Sequence, residues 1–253
     1  MLHKVAWILG ACGVALAQPV DLFLLIGQSN MAGRGVVEAR DQVPIAGVFS
    51  FNKEKAWVPA VDPIHFDRPD RTGVGLGRSF AATLIEFKAA TSVGLIPAAF
   101  GGSALQEWVP GSVHYTNAVE RVKAALAAAG PGARLRGILW HQGEADANDE
   151  ERAVTYRIRF AKMIAALRKD LGAERVPVVV GQLGEFVPEK SYSQLGKVNS
   201  ELAVIPLHVP LSGFVASQGL KDKGDQLHFD AASLREFGRR YALAWLAIAG
   251  GAK

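Results

Sequence analysis

The sequence predicts an α/β protein built on a doubly wound, mostly parallel sheet in a single domain. Short apolar runs end abruptly in glycine or polar residues, and amphipathic segments of helical period lie between them. Such runs are typical of strands buried on both faces, and their alternation with helices indicates a parallel sheet. The chain has 253 residues, of which 49% are hydrophobic and 21% charged, so it can enclose the core that this fold needs.

The first 17 residues are predicted to be a secretory signal peptide. Lys4 precedes an apolar run over positions 5–16, and Ala15 to Ala17 form the small-x-small pattern of a cleavage site. We therefore expect a secreted or periplasmic protein. Two alternatives are a retained membrane anchor, although the run is shorter than the roughly 20 residues that span a bilayer, and a lipoprotein with lipidated Cys12.

The remaining residues 18–253 are predicted to form one domain with no special affinity for polyanions. Removing one lysine from 28 basic residues leaves 27 against 24 acidic residues, a net charge of +3 without a basic run. Nucleic acid and, after signal cleavage, membrane are therefore not expected partners. Cys12 is the only cysteine, so residues 18–253 contain neither a thiol nucleophile nor a disulfide.

Strand and helix segments alternate along this domain. Four or five strands are expected to alternate with helices. The segments predicted as strands are 22–26, a short strand within 43–51, 93–100, 136–140, 176–180 and a possible edge strand within 207–215. The segments predicted as helices are the periodic stretch 80–87 and residues 117–129, 149–171, 191–205 and 231–248, the last with Asp230 as its N-cap.

Ser29 directly follows the first predicted strand, which ends at Gly27. The carboxyl end of a parallel strand is where open α/β sheets bind ligands, so Ser29 is a candidate nucleophile. The alternative is that it only caps a following helix. Gln28 and Gly27 would let the chain turn so that the hydroxyl faces a base.

Other polar clusters fall at the same predicted edge and supply what acyl transfer by serine requires. Asp225 and His228 are three positions apart in a turn entering a helix, so the carboxylate can orient an imidazole that faces the serine. The oxyanion donors would be the backbone N–H groups of Ser29 and Gly102 together with the side-chain amide of Gln142.

Four sequence blocks resemble the SGNH-hydrolase superfamily, and within it most closely the branch of sialate O-acetylesterases and carbohydrate esterase family 6, which includes acetylxylan esterases. The blocks are GQSNM at 27–31, GGS at 101–103, WHQGE at 140–144 and DxxH at 225–228. The resemblance implies a flavodoxin-like, three-layer α/β/α fold and metal-independent removal of O-acetyl groups from sugars.

The resemblance also assigns roles to individual residues. It implies Ser29 as nucleophile, His228 as base, Asp225 as orienting acid, and Ser29, Gly102 and Gln142 as oxyanion contributors. Two positions depart from the broader superfamily: the first block reads GQS instead of GDS, and Gln142 stands where asparagine is usual.

Several residues near these blocks have two interpretations each. Glu144 could hold its loop or His228, or merely start a helix. Trp108 and Tyr115 could stack on a sugar ring or belong to ordinary packing. Arg34 could bind a substrate carboxylate or pair with a surface acid.

The function expected from the sequence is a secreted serine esterase that deacetylates carbohydrate, of acetylxylan or sialate type, through an acetyl-enzyme on Ser29. The expected partner is an acetylated carbohydrate substrate. Neither a cofactor nor a metal is expected, since no recognised ligand spacing is present. The alternatives are a carbohydrate-binding protein on a degenerate hydrolase scaffold, and a lipase or thioesterase acting on longer acyl chains.

Overall fold

The computed structural model describes residues 20–251 of the chain. These residues include a seven-stranded sheet. Its strands are β1 (Asp21–Gly27), β2 (Val48–Phe51), β3 (Trp57–Pro59), β4 (Val93–Pro97), β5 (Arg134–His141), β6 (Val178–Gly181) and β7 (Ser212–Val215). The predicted signal peptide and Cys12 lie outside the described residues.

The strand order is β3-β2-β4-β1-β5-β6-β7, and within the described sheet only β2 and β3 pair antiparallel. Strands β4, β1, β5, β6 and β7 stand in the order expected of a flavodoxin-like sheet, in which the chain winds outward from β1 in both directions. The short hairpin of β2 and β3 extends one edge. Five strands alternate with helices, within the predicted four or five. Of the hairpin, β2 lies in the segment 43–51, where a short strand is predicted, and β3 has no predicted counterpart.

Helices cover both faces of the sheet. They are α1 (Ser29–Ala32), α2 (Gly77–Glu86), α3 (Val113–Ala129), α4 (Glu150–Val154), α5 (Tyr156–Asp170), α6 (Leu195–Ala203) and α7 (Ala231–Gly251). Helices α2 and α7 pack on one face, and α3 to α6 pack on the other. The predicted three-layer α/β/α fold is confirmed. Between residues 20 and 251, no helix combines the length and apolarity needed to cross a membrane.

Strand β1 lies at the centre of the sheet between β4 and β5. Leu22, Leu24 and Ile26 pack into the core on one face, and Phe23 and Leu25 pack into the core on the other. All five side chains are inaccessible to solvent, and burial of each stabilises the fold by about 1.5–3 kcal/mol relative to exposure. This double burial fixes the position of the loop that carries Ser29.

One predicted helix is divided in two. Residues 149–171 form α4 and α5 because the chain leaves helical geometry at Thr155. The Thr155 hydroxyl donates to the Glu151 carbonyl, and the Arg159 guanidinium donates to the Arg152 carbonyl. These side chains occupy acceptors of the last turn of α4. By contrast, α7 begins as predicted, because the Asp230 carboxylate accepts from the Ser233 N–H at 2.7 Å.

Gly27 ends β1 in a conformation that other residues rarely adopt, with φ of +131°. A Cβ atom there would lie 2.1 Å from the His141 carbonyl oxygen, because β1 and β5 approach closely at this point. We expect Gly27→Ala to destabilise the protein by about 3 kcal/mol or more, measured by denaturant unfolding.

Gly111→Ala is the matched control, since Gly111 also has a positive φ, +86°, but no atom lies within 4 Å of its added Cβ. The control is expected to cost about 1–2 kcal/mol, the price of the backbone conformation alone. An equal loss in the two variants would show that the close approach at Gly27 is unimportant.

Candidate functional site

The loops that follow β1, β4 and β5 meet at the carboxyl edge of the sheet, together with the turn that precedes α7. They enclose an open cavity of about 820 Å³. Ser29, Gly102, Glu144 and His228 line it, one from each of these segments. The structure therefore brings the predicted blocks to one place, although the last block lies almost 200 residues from the first.

Ser29, His228 and Asp225 form a continuous hydrogen-bonded chain. The Ser29 Oγ lies 3.0 Å from the His228 Nε2, and the His228 Nδ1 lies 2.7 Å from the Asp225 Oδ2. An ionised carboxylate accepts from Nδ1–H, which leaves Nε2 of a neutral imidazole free to accept the serine proton. The arrangement can deprotonate a hydroxyl that attacks a carbonyl carbon.

The turn at residues 225–228 holds this carboxylate rigidly. The Asp225 Oδ1 accepts from the backbone N–H groups of Leu227 at 3.0 Å and His228 at 2.8 Å. Burial acts to raise the pKa of Asp225, but the hydrogen bonds from the His228 backbone and imidazole and from Leu227 outweigh it and lower the pKa to about 2. Asp225 is therefore ionised throughout the neutral range.

The His228 imidazole is mostly shielded from solvent. Burial lowers its pKa below the ordinary value, because the charged form is poorly solvated, while Asp225 opposes the shift and Arg34 and Lys223 add to it. The neutral imidazole, the form able to accept a proton, is thus favoured at neutral pH.

Two backbone N–H groups at the cavity are free to bind an oxyanion. Ser29 is the first residue of α1, so its N–H has no acceptor within the helix. Gly102 occupies the turn after β4 with φ of +84°. In the described part of the chain, neither N–H donates to another group. Both residues line the cavity, and their role as oxyanion donors stays a prediction.

Gln142 does not take the predicted position. It is fully buried and does not line the cavity. Its Nε2 donates to the Ser103 carbonyl at 3.1 Å and to the Asp146 Oδ2 at 2.7 Å, and its Oε1 accepts from the Tyr156 hydroxyl at 2.9 Å. Because its amide hydrogens are already used, the structure corrects the assignment of Gln142 as an oxyanion donor. Its amide instead ties the loop after β5 to Ser103.

Gln28 and Glu144 occupy positions that hold loops. The Gln28 Oε1 accepts from the backbone N–H groups of Gly143 and Ala145, both at 3.4 Å. Glu144 is 1% exposed and its Oε1 accepts from the Asn30 Nδ2 at 2.7 Å. Burial raises the pKa of Glu144 to about 7, against the opposing effect of its hydrogen bonds. Glu144 therefore holds the turn of Ser29 and does not start a helix.

Asn30 is a residue of the site to which the sequence analysis assigns no role. Its Nδ2 also donates to the Leu227 carbonyl at 3.2 Å, and its Oδ1 accepts from the Phe229 N–H at 3.1 Å. Asn30 thereby fixes the backbone on both sides of His228. The available signal was its place directly after Ser29, within the GQSNM block.

The predicted sugar-stacking aromatics are core residues. Trp108 is 1% exposed, donates from Nε1 to the Ser103 Oγ at 2.9 Å and packs edge-on against Trp140. Tyr115 is buried in α3 and its hydroxyl donates to the Asp170 Oδ2 at 2.6 Å. Neither borders the cavity, so the structure corrects the substrate-binding assignment of both.

Arg34 does line the cavity, but its guanidinium is buried and occupied. Its Nη1 donates to the Gly33 carbonyl at 2.8 Å and its Nη2 donates to the Asp67 Oδ2 at 3.1 Å. Arg34 therefore pairs with a buried acid. This partner differs from both predicted alternatives, a substrate carboxylate and a surface acid. Arg68 and Tyr192 line the cavity from loops that carry no motif, and Lys223 lines it from two positions before the DxxH block. Nothing in the sequence singled out these three residues.

Comparison with known proteins places the chain among carbohydrate esterases. The model of a family described as carbohydrate esterase, sialic acid-specific acetylesterase, matches residues 19–247. A "probable carbohydrate esterase" of Arabidopsis thaliana is 29% identical over 250 residues, which cover 90% of this chain and 91% of that protein.

Solved structures show the same fold. An X-ray structure of a protein from Arabidopsis thaliana superimposes with a TM-score of 0.80 at 28% identity, covering 90% of this chain and 98% of that one. A carbohydrate acetylesterase from Xanthomonas citri superimposes with a TM-score of 0.69 at 22% identity, covering 91% of this chain and 56% of that one. The second likeness concerns the fold alone.

The family match spans most of the chain and includes all four blocks that meet at the cavity. The family indicated by the sequence resemblance is thus confirmed, and so is the prediction of a carboxylic ester hydrolase. The chain belongs to the family of carbohydrate esterases described as sialic acid-specific acetylesterases.

Proposed function

We propose that this protein is a serine esterase that removes O-acetyl groups from carbohydrate through an acetyl-enzyme on Ser29. The observation that carries the proposal is the unbroken chain from the Ser29 hydroxyl through His228 to Asp225, with contacts of 3.0 and 2.7 Å. Membership of a carbohydrate esterase family supports the choice of substrate class.

In the first half of the proposed reaction, the Ser29 Oγ attacks the acetyl carbonyl carbon while the His228 Nε2 takes its proton. The carbonyl oxygen becomes an oxyanion that accepts from the N–H groups of Ser29 and Gly102. Each such donor typically contributes about 10²–10³ in kcat. Collapse of the tetrahedral intermediate breaks the bond to the sugar oxygen, which receives the proton from His228.

In the second half, water replaces the sugar. The His228 Nε2 takes a proton from water as its oxygen attacks the acetyl carbon, and the same N–H groups stabilise the oxyanion. Collapse then breaks the bond to the Ser29 Oγ, which regains a proton from His228, and acetate leaves. Asp225 keeps the imidazole in one orientation and stabilises its charged form through both halves.

The cavity walls favour a polar alcohol with a short acyl group over a lipid. Charged side chains of Arg68, Asp70, Arg71 and Lys223 line the cavity. A long acyl chain would remove water from these charged groups without offering them hydrogen bonds, which is unfavourable. A sugar can instead offer them hydroxyl groups.

The test is acetate release from a panel of acetylated xylan, sialic acid, pectin and cell-wall glycans, with Ser29→Ala as the inactive reference. A series of acetyl, propionyl, butyryl and octanoyl esters is expected to show a steep loss of rate beyond acetyl. Faster hydrolysis of the longer esters would instead identify a lipase or thioesterase. Binding of an acetylated glycan without acetate release would identify a binding protein.

The pH dependence follows from the shielding of His228. The reaction needs the neutral imidazole, and burial lowers its pKa, so kcat/KM should rise with pH through a midpoint below the ordinary histidine value of about 6.5 and then level off. The measurement is a kcat/KM profile from about pH 4 to 9. A midpoint above the ordinary value would contradict the assignment of His228 as base.

We further propose that the protein is secreted or periplasmic and is cleaved after Ala17. The support is the pattern of residues 1–17 alone. Amino-terminal sequencing of protein recovered outside the cytoplasm is expected to begin at Gln18. Lipid attached to Cys12, or an uncleaved membrane-bound chain, would contradict this proposal.

A further inference from the structure

A buried ion pair lies beneath the turn that carries Gly102. The Asp67 Oδ2 accepts from the Gly101 N–H at 2.8 Å and from the Arg34 Nη2 at 3.1 Å. The two side chains are 2% and 5% exposed, respectively. The Arg34 Nη1 donates to the carbonyl of Gly33, the residue that follows α1. The pair therefore connects the Ser29 turn to the turn at residues 101–102.

The pair is in direct contact with the backbone of this second turn. A Cβ atom added to Gly101 would lie 2.5 Å from the Arg34 Nη2 and 3.0 Å from the Asp67 Oδ2. Position 101 therefore accepts only glycine while the pair stays in place. The absence of a side chain lets the carboxylate accept from the peptide N–H at close range.

We propose that Arg34 and Asp67 are positioning residues that set where the Gly102 N–H lies relative to Ser29. This inference rests on the proposed function, in which both N–H groups bind the oxyanion. Hydrogen bonds to a charged group are shorter and stronger than neutral ones, so they hold the turn more tightly than a neutral contact would. A displacement of about 1 Å at such a site can reduce the rate about 10²-fold.

The main test is Asp67→Asn, which keeps the size of the side chain but presents it to Arg34 without a charge. We expect kcat for acetate release to fall about 10²-fold. KM should change far less, because the pair positions the Gly102 N–H that binds the oxyanion and does not bind the sugar. A rise in KM with unchanged kcat would overturn the proposal and indicate that this region binds substrate.

The matched control is Asp62→Asn. Asp62 and Arg78 also form a buried ion pair, with side chains 2% and 6% exposed, and Asp62 also lies near a glycine N–H, that of Gly75. This pair does not border the cavity. We expect the control variant to lose thermal stability while keeping its kcat. If both variants lose kcat equally, Asp67 has only a structural role.

Two substitutions of Arg34 separate position from charge. The charged groups that act on the His228 pKa are Asp225, Arg34 and Lys223, and Arg34 lowers it. Arg34→Gln should therefore reduce kcat and also move the acid limb of the pH profile upward. Arg34→Lys keeps the charge but cannot bridge Gly33 and Asp67 with a planar fork, so it should reduce kcat without moving the limb. Full kcat in the folded Arg34→Lys variant would overturn the proposal even if Asp67→Asn fails to fold.

Because Arg34 and Asp67 form one link, the Arg34→Gln, Asp67→Asn double variant should be no slower than the more impaired single variant. Additive losses would contradict a shared role. Activity retained by Ser29→Ala would refute the proposed function itself, whereas an inactive Ser29→Ala together with a fully active Asp67→Asn would refute only the positioning pair.

Discussion

Ser29→Ala is expected to release acetate about 10⁶-fold more slowly than the wild type, with a similar loss for His228→Ala. The attacking oxygen is absent in the first variant and its proton acceptor in the second. The remaining rate would come from the N–H groups of Ser29 and Gly102, which both variants keep. The measurement is kcat for acetate release on the best glycan of the panel.

Two control variants accompany Ser29→Ala and His228→Ala. Ser200→Ala removes a hydroxyl that bonds only to the Gly196 carbonyl on the exposed side of α6, and it should keep wild-type activity. The Ser29→Ala, His228→Ala double variant should be no slower than either single variant, because the two side chains act as one unit. If the loss in the double variant equals the product of the two single losses, Ser29 and His228 do not act as one unit. Full activity in either single variant would exclude that residue from the proposed reaction.

Asn30→Asp is expected to reduce kcat about 10²-fold and the free energy of unfolding by about 3 kcal/mol. The change keeps the acceptor for the Phe229 N–H but removes the donor to Leu227 and to Glu144, and it places two carboxylates in contact. The backbone around His228 would then shift. The measurements are steady-state kinetics and denaturant unfolding.

Asn199→Asp is the matched control for Asn30→Asp. Asn199 also accepts from a backbone N–H and donates to a carbonyl, both of Leu183, but it stands on α6 outside the cavity. It should lose some stability and keep kcat. The stability deficit of Asn30→Asp should be smaller at acid pH, because the contact of two carboxylates raises the pKa of one, whose protonated form can donate again. A deficit that grows on acidification would contradict this account of the Asn30 contact.

The sequence predicts the central strand and the contact between Asp225 and His228 because both depend on local order. An apolar run followed by glycine defines β1 and its end, and the three-residue spacing of Asp225 and His228 is sufficient for their contact in a turn. Strand ends in a parallel sheet then bring distant blocks to one edge. No knowledge of packing between remote side chains is needed for these predictions.

Gln142, Trp108 and Tyr115 could not be placed in this way. The direction of each side chain is decided by a partner on another element, such as Tyr156 for the Gln142 amide or Asp170 for the Tyr115 hydroxyl. Motif position puts these residues near the site but does not orient them. Asp67 was missed for the same reason, since it stands in an irregular segment and its contact with Gly101 depends on the folded structure.

Ser29 and His228 are in contact although 199 positions separate them in the sequence. A contact between remote positions requires a long loop to close, which costs entropy and slows folding. The hydrolytic site therefore cannot exist in a nascent or amino-terminal fragment that lacks the turn before α7. After dilution from denaturant, acetate release should return only when the turn before α7 has packed against the loop that carries Ser29.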